Sequence, residues 1–253
     1  MLKLENISKT FDAGSPQEQT LFQNFSLEIP DGQFVSIVGS NGSGKTTLLN
    51  LICGTAVQDS GTILLNGRDI SHQKSYLRSA CIGRVYQAPS AGTAPNLTVL
   101  ENLSLADCKG QSFGLSRAVQ KNRLEVYREE LRKLDLGLEE KLHVKMGALS
   151  GGQRQAVSLL MATMTPIQFL ILDEHTAALD PKTAQSIMDL TNRIVRKKHL
   201  TAMMVTHNLR FALEYGDRLL MLDHGQIVLD RTGTQKTNTT IPEILSQYQS
   251  LSL

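Results

Sequence analysis

The run Gly39-Ser40-Asn41-Gly42-Ser43-Gly44-Lys45-Thr46-Thr47 holds the residues best suited to chemistry in this 253-residue chain. A glycine, four residues, then Gly44-Lys45-Thr46 is the spacing of a phosphate-binding loop. Such glycines let the backbone curl so that successive N–H groups face phosphate oxygens, which a β-carbon would obstruct. Lys45 brings a mobile positive charge for the β- and γ-phosphates, and the Thr46 hydroxyl suits Mg²⁺. The plainer alternative is a Gly-rich turn between strand and helix. The flanks favour the phosphate loop. Residues 34–38 are apolar and β-branched like a buried strand, and residues 48–52 read as a helix. That helix adds its positive N-terminal end near Lys45. The ligand implied is a nucleoside triphosphate.

Two more stretches match that chemistry. Asp173 and Glu174 follow the apolar run Phe169-Leu170-Ile171-Leu172, at a strand end where ligands bind in open α/β sheets. Adjacent acids there need a cation or solvent, since buried unpaired carboxylates are unfavourable. Successive strand side chains point opposite ways, so Asp173 can serve Mg²⁺ and Glu174 an attacking water. Two solvated acids are the alternative, and the phosphate loop upstream weighs against it. Leu149-Ser150-Gly151-Gly152-Gln153 precedes a predicted helix at 154–164. A serine and two glycines at a helix start make a second anion site. A plain serine N-cap would explain Ser150 but not the double glycine followed by glutamine.

Leu-Ser-Gly-Gly-Gln between a phosphate loop and an apolar-Asp-Glu strand resembles the signature of ATP-binding cassette (ABC) transporter ATPases, and the resemblance spans essentially the whole chain. It implies ATP with Mg²⁺ as cofactors. It further implies that Phe11 stacks on adenine, that Gln87 touches Mg²⁺ and the attacking water, and that His207 contacts the γ-phosphate. Ser150, Gly151, Gly152 and Gln153 would cover the ATP of a second subunit, with Asp180 on the loop Ala178-Leu179-Asp180 that crosses to it. Each chain has one phosphate loop and one signature, so the resemblance implies a head-to-tail pair of ATPase subunits. His175 stands where proline is common in the family and Ala178 where serine is. Neither removes a catalytic group, so an active ATPase is expected.

The elements needed to position these residues can be read along the chain. Leu2, Leu4 and Ile7 suggest a first strand, with Phe11 in the turn after it, and Phe25, Leu27 and Ile29 a second. Further strands are expected at 62–65, 82–86, 169–172, 201–206, 218–223 and 226–230. Residues 88–95 read as a mobile connection. Thr98-Val99-Leu100-Glu101 is a capping box, and Leu124, Tyr127, Leu131 and Leu134 recur at helical spacing before Gly137, a candidate C-terminal cap. Asp180-Pro181 opens a helix through Ile187, Leu190 and Ile194, another spans 208–215, and a last one follows Thr240. The expected fold is α/β: a P-loop NTPase core with a mainly parallel sheet, an N-terminal antiparallel β subdomain and a helical subdomain inserted at about 90–165, all in one domain over 1–253.

Net charge is +2, which argues against a polyanion surface, so no nucleic-acid partner is expected. The basic run Arg196-Lys197-Lys198 suits the C-terminal end of a helix. Three separated cysteines without a C-x-x-C pair fit a reducing cytosol and no metal centre of their own. No run reaches the ~18 apolar residues of a membrane span. The expected location is cytoplasmic, peripheral on the inner face of the cell membrane. The resemblance implies a separate membrane permease and, in a bacterial importer, an extracytoplasmic substrate-binding protein. Residues 173–183 with Gly92-Thr93-Ala94-Pro95 resemble a bacterial importer subgroup that uses a binding lipoprotein, some of whose members are associated with aromatic amino acids. The cargo expected is a small solute, with an amino acid as one candidate. The alternative is the ATPase of a soluble machine such as iron–sulfur cluster assembly. A non-hydrolysing regulatory cassette is disfavoured by Glu174 and His207.

Overall fold

Alternating and continuous apolar runs build two sheets in the computed structural model, which describes residues 1–110, 119 and 123–251. β1 (Leu2–Phe11) and β2 (Gln19–Ile29) pair antiparallel, with Leu2 opposite Ile29 and Leu4 opposite Leu27. The register then shifts, with Asn6 in a left-handed conformation (φ 51°), so that Ile7 rather than residue 6 faces inward opposite Phe25. Phe11, expected in a turn, instead closes β1 opposite Gln19. The pairing continues that far because the Thr10 hydroxyl meets that of Thr20 across the pair at 3.1 Å and the Thr10 N–H donates to Asp59 at 2.6 Å.

β3 (Phe34–Gly39), wholly buried, runs into the phosphate loop and α1 (Lys45–Cys53). β4 (Ser60–Leu65) and the short β5 (Arg68–Asp69) complete the first sheet, whose order is β2-β1-β4-β5. Its apolar face packs on Leu48, Leu49, Leu51 and Ile52 of α1. α2 (Ser75–Arg78) carries a buried arginine, and the Arg78 guanidinium donates to the Leu51 and Ile52 carbonyls at 2.7 and 3.0 Å. The C-terminal end of α1 is thereby satisfied by a cation, where the helix dipole favours one.

β6 (Ile82–Val85) is the edge of the second sheet. After it, Asn102 donates to and accepts from the backbone of Ala94 (3.0 and 2.8 Å), so the segment expected to be mobile is tied down and includes a 3₁₀ turn at Pro89–Ala91. α3 (Val99–Asp107) opens on the Thr98–Glu101 capping box. α4 (Leu124–Arg132) ends earlier than Gly137; its cap is Lys133, and Asp135 takes the left-handed turn (φ 58°). Leu134 and Leu138 can then both bury in the core with Tyr127 and Leu131. α5 (Gly151–Thr163) returns the chain to the sheet. Between β6 and β7 (Phe169–Asp173) the described residues form helices and turns, with no strand.

α6 (Pro181–Lys197), β8 (Ala202–Val205), α7 (Leu209–Glu214), β9 (Arg218–Asp223), β10 (Gln226–Thr232), α8 (Gly233–Asn238) and α9 (Ile241–Leu251) follow. The second sheet has the order β10-β9-β3-β8-β7-β6 and is parallel except for the β9–β10 hairpin. Its central strands are buried on both faces, as parallel strands between helical layers must be. The register sets Asp173 beside Val205 and Val205 beside Ile37. The chain therefore leaves β3, β7, β8 and β6 at one shared carboxyl end, bringing the phosphate loop, the two acids, His207 and Gln87 to the same side.

Candidate functional site

At that carboxyl end lies a cleft of about 310 Å³ whose walls include Phe11, Gly42, Lys45, Thr46, Glu174 and His207. Gly44, in a left-handed conformation (φ 105°), is the N-cap of α1 and supplies no side-chain cap. The first N–H groups of α1 therefore have no capping oxygen and sit on the cleft wall, the arrangement that suits phosphate. Gly39 has a different reason to be glycine, since a β-carbon there would lie 2.3 Å from the Leu222 carbonyl oxygen. The Lys45 ammonium donates to the carbonyls of Gly39 and Ser40, both at 2.7 Å. Burial pulls its pKa down from the usual lysine value, and the Glu174 carboxylate opposes that.

A brace on the loop was not foreseen. The Ser40 hydroxyl donates to Asp223 at 3.0 Å, the other Asp223 oxygen meets His224 Nδ1 at 2.8 Å, and the Gly225 N–H donates to the Ser43 carbonyl at 3.0 Å. The sequence showed Asp223-His224-Gly225 only as the junction between the strands expected at 218–223 and 226–230. The available signal was an acid ending a strand next to β3, but that neighbour is visible only once β9 pairs with β3.

Glu174 follows β7 with φ 47°, a left-handed conformation that a non-glycine residue rarely adopts without a reason in the site. Its carboxylate lies 2.7 Å from Nε2 of His207. His207 is half-exposed at the end of β8, where Thr206 donates to the Ile37 carbonyl and accepts from the Asn208 N–H, and Asn208 caps α7. Asp173 turns away from this pair: its Oδ2 accepts from Arg84 at 2.7 Å, leaving Oδ1 outside the ion pair. Gln87 is exposed beyond β6 and, like Asp173, is not among the residues lining the cleft. Thr46 hydroxyl, Asp173 carboxylate and Gln87 carbonyl are hard oxygen donors of the kind Mg²⁺ takes, so the residues fit that ion. His175, next along, is fully buried with Nε2 3.1 Å from the Thr191 hydroxyl. Thr191 gives its proton to the Ile187 carbonyl at 2.7 Å, so His175 must be the donor, neutral and protonated on Nε2. Desolvation pulls its pKa down to about 4.

Ser150, Gly151, Gly152, Gln153 and Asp180 lie off this cleft. Ser150 caps α5 and Gln153 completes a reciprocal capping box with it. The Gln153 side chain also donates to the Leu136 carbonyl at 3.3 Å and accepts from Lys141 at 3.2 Å. A β-carbon on Gly152 would come within 2.4 Å of Thr183 Cγ2, and one on Gly151 within 3.1 Å of Leu179 Cδ2. The glycines and the glutamine thus have structural reasons that sequence reasoning did not supply. Asp180 caps α6, accepting from the Thr183 N–H at 3.1 Å, and hydrogen bonds from Thr183 hold its carboxyl below the usual carboxylate range.

The sequence profile of the ABC transporter family matches residues 22–177. The chain is 47% identical over 251 residues to a tyrosine transport ATP-binding protein of Clostridioides difficile (strain R20291), covering 98% of this chain and 99% of the relative. It is 34% identical over 229 residues to the putative hemin import ATP-binding protein HrtA of Staphylococcus aureus (strain Newman), covering 89% and 98%. Among solved structures it is similar to an ATP-binding cassette seen as a dimer in a post-hydrolysis state bound to ADP and Pi, with TM-score 0.77, 30% identity and 92% and 98% of the two chains covered. A nucleotide-free ATP-binding cassette from an ABC transporter matches with TM-score 0.81 and 26% identity, over 100% of this chain and 98% of the other.

Proposed function

The chain belongs to the ABC transporter family, and we propose that it powers a bacterial importer for an aromatic amino acid through a separate membrane permease. As a cassette of this family it binds and hydrolyses ATP, and such cassettes work as dimers with a membrane permease. The importer reading and its cargo are supported by the nearly full-length identity to a protein named for tyrosine transport, which exceeds that to the relative named for hemin import. No helix among the described residues is long and apolar enough to cross a membrane. The chain would act from the inner face of the membrane through its permease, with an extracytoplasmic binding protein delivering the cargo.

The observation that carries the site reading is the 2.7 Å contact of Glu174 with His207 on the cleft that also holds Lys45. In this reading Lys45 and the start of α1 hold the phosphates and Phe11 takes the adenine. Glu174 orients the attacking water and His207 meets the γ-phosphate. Thr46, Gln87 and Asp173 would hold Mg²⁺, which would supply charge neutralisation on the phosphates. Ser150, Gly151, Gly152, Gln153 and Asp180 serve the ATP of a second, identical copy placed head to tail.

The test is affinity capture of tagged Glu174→Gln protein from detergent-solubilised native membranes with ATP present. A multispanning permease among the captured proteins, followed by tyrosine-stimulated ATPase activity of the reconstituted complex, is the expected result. Capture of soluble partners alone would overturn the importer reading in favour of an assembly machine. A permease whose complex responds to hemin and not to aromatic amino acids would overturn the cargo.

A further inference from the structure

Arg84 is a cation that the reading above does not use, yet it holds one of that reading's acids. It sits on β6 beside Ile171 of β7, and Nη2 donates to Asp173 Oδ2 at 2.7 Å. Nη1 reaches Asn50 Oδ1 of α1 at 3.1 Å, and the guanidinium lies over the Tyr86 ring at 4.7 Å. Both members of the ion pair are largely buried, with 12% and 18% of their side chains exposed. One planar group therefore joins the end of β7, the helix that begins with Lys45-Thr46, and the residue before Gln87.

We propose that Arg84 is a positioning residue of the ATPase site: its fork fixes the Asp173 carboxylate, and its charge sets how tightly the site takes a divalent cation with ATP. This rests on the reading of Asp173 as the acid that serves Mg²⁺. Two consequences follow from the physics and run in opposite directions. Removing a fixed positive charge from a partly buried carboxylate strengthens the attraction of that carboxylate for a second cation. Removing the fork that ties one Asp173 oxygen to Asn50 of α1 lets the carboxylate swing, so geometry at the reacting phosphate loosens and turnover falls. Lysine keeps the charge but presents a point donor that cannot match a planar fork spanning two acceptors. The metal readout therefore follows charge and the turnover readout follows shape. Loss of a residue that only stabilised the fold would not raise metal affinity.

The experiment measures Mn²⁺ affinity of the complete chain by electron paramagnetic resonance, with a non-hydrolysable ATP analogue bound. It is set beside kcat and KM for ATP. Arg84→Gln should tighten Mn²⁺ binding about three- to tenfold while lowering kcat about tenfold. Arg84→Lys should leave Mn²⁺ affinity within about twofold of wild type and lower kcat about threefold at unchanged KM. Unchanged or weakened Mn²⁺ binding in folded Arg84→Gln overturns the proposal. Should that variant not fold, Arg84→Lys decides alone, and wild-type kcat there overturns it. Asp173→Asn is the separate check on the underlying reading. If it leaves Mn²⁺ affinity unchanged, Asp173 does not serve the metal, whereas a loss there with no effect of Arg84→Gln removes only the role given to Arg84.

Discussion

Two glycine-bearing helix starts in this chain look alike in sequence and are built differently. At α1 the cap is Gly44, which offers no side-chain oxygen, and the first turn opens on the cleft that holds Lys45. At α5 the cap is Ser150, whose hydroxyl accepts from Gln153 while the Gln153 side chain returns to the Ser150 N–H. The glycines differ as well. Gly42 and Gly44 take φ of 82° and 105°, conformations needed to curl the loop. Gly151 and Gly152 are ordinary helical residues that make room for Leu179 and Thr183. The first start leaves its donors for a ligand, and the second uses part of its own capacity locally. An α5 end built this way suits a supporting contact to a phosphate already held elsewhere, which is the role a second subunit would give it.

The largest effect expected separates binding from turnover at the first start. Glu174→Gln should lower ATP hydrolysis at least about a hundredfold, the size of a lost proton-transfer or water-orienting group. Its nucleotide affinity should stay near wild type, checked by fluorescent-nucleotide titration. Hydrolysis near the wild-type rate would falsify the assignment. Next, Lys45→Ala should weaken ATP binding about tenfold or more and stop turnover, since a charge-assisted contact to phosphate is lost. Gly151→Asp, which sets a carboxylate at the α5 start, should leave binding intact and stop turnover. The contrast between the two starts is sharpest in a one-to-one mixture of those inactive proteins. Each mixed pair holds one site with both an intact loop and an intact signature, so about a quarter of wild-type activity should return. No recovery would mean that the α5 start acts within its own chain.

The parts of the site legible in the sequence were those set by local spacing. The loop 39–47, the strand ending in Asp173-Glu174, the Thr98 capping box and the Asp180-Pro181 helix start all follow from neighbours within a few residues. What was not legible depends on chains that meet only after folding. Asp223 and Gly225 brace the loop because β9 lies beside β3, and a β-carbon on Gly225 would sit 1.7 Å from the Leu21 carbonyl oxygen. Residues 88–95 read as mobile from composition, yet Asn102 fastens them from the next helix. Gly137 looked like a helix cap, but burial of Leu134 and Leu138 ends α4 sooner. The double glycine after Ser150 pointed to an anion alone, because Thr183 was out of sight.

That last point can be tested through stability. Gly152→Ala adds only a methyl group, but the methyl meets Thr183 Cγ2 at 2.4 Å. Threonine is stiff at χ1 and cannot simply swing aside. Overpacking of this kind should lower unfolding free energy by about 2 kcal/mol, read as a shift in the urea midpoint with an unchanged slope. The double substitution Gly152→Ala with Thr183→Ser removes the colliding methyl and should recover most of the loss. A single variant as stable as wild type would mean that α5 and α6 can part without penalty, and the glycine would then be left with the anion role alone.

The smallest effect expected concerns His175, where the family commonly has proline. The buried ring is neutral in the folded chain, with its pKa pulled from 6.5 down to about 4 by desolvation. Between those values the unfolded chain binds a proton that the folded chain does not, so stability falls as pH falls through 6.5 towards 4. From pH 7 to 5.5 the loss should be about 1 kcal/mol, measured by urea unfolding in metal- and nucleotide-free buffer. His175→Gln keeps a donor for Thr191 and cannot titrate, so its stability should change less over the same range by that amount. Equal slopes for the two proteins would mean that the folded ring takes up its proton as readily as the unfolded one.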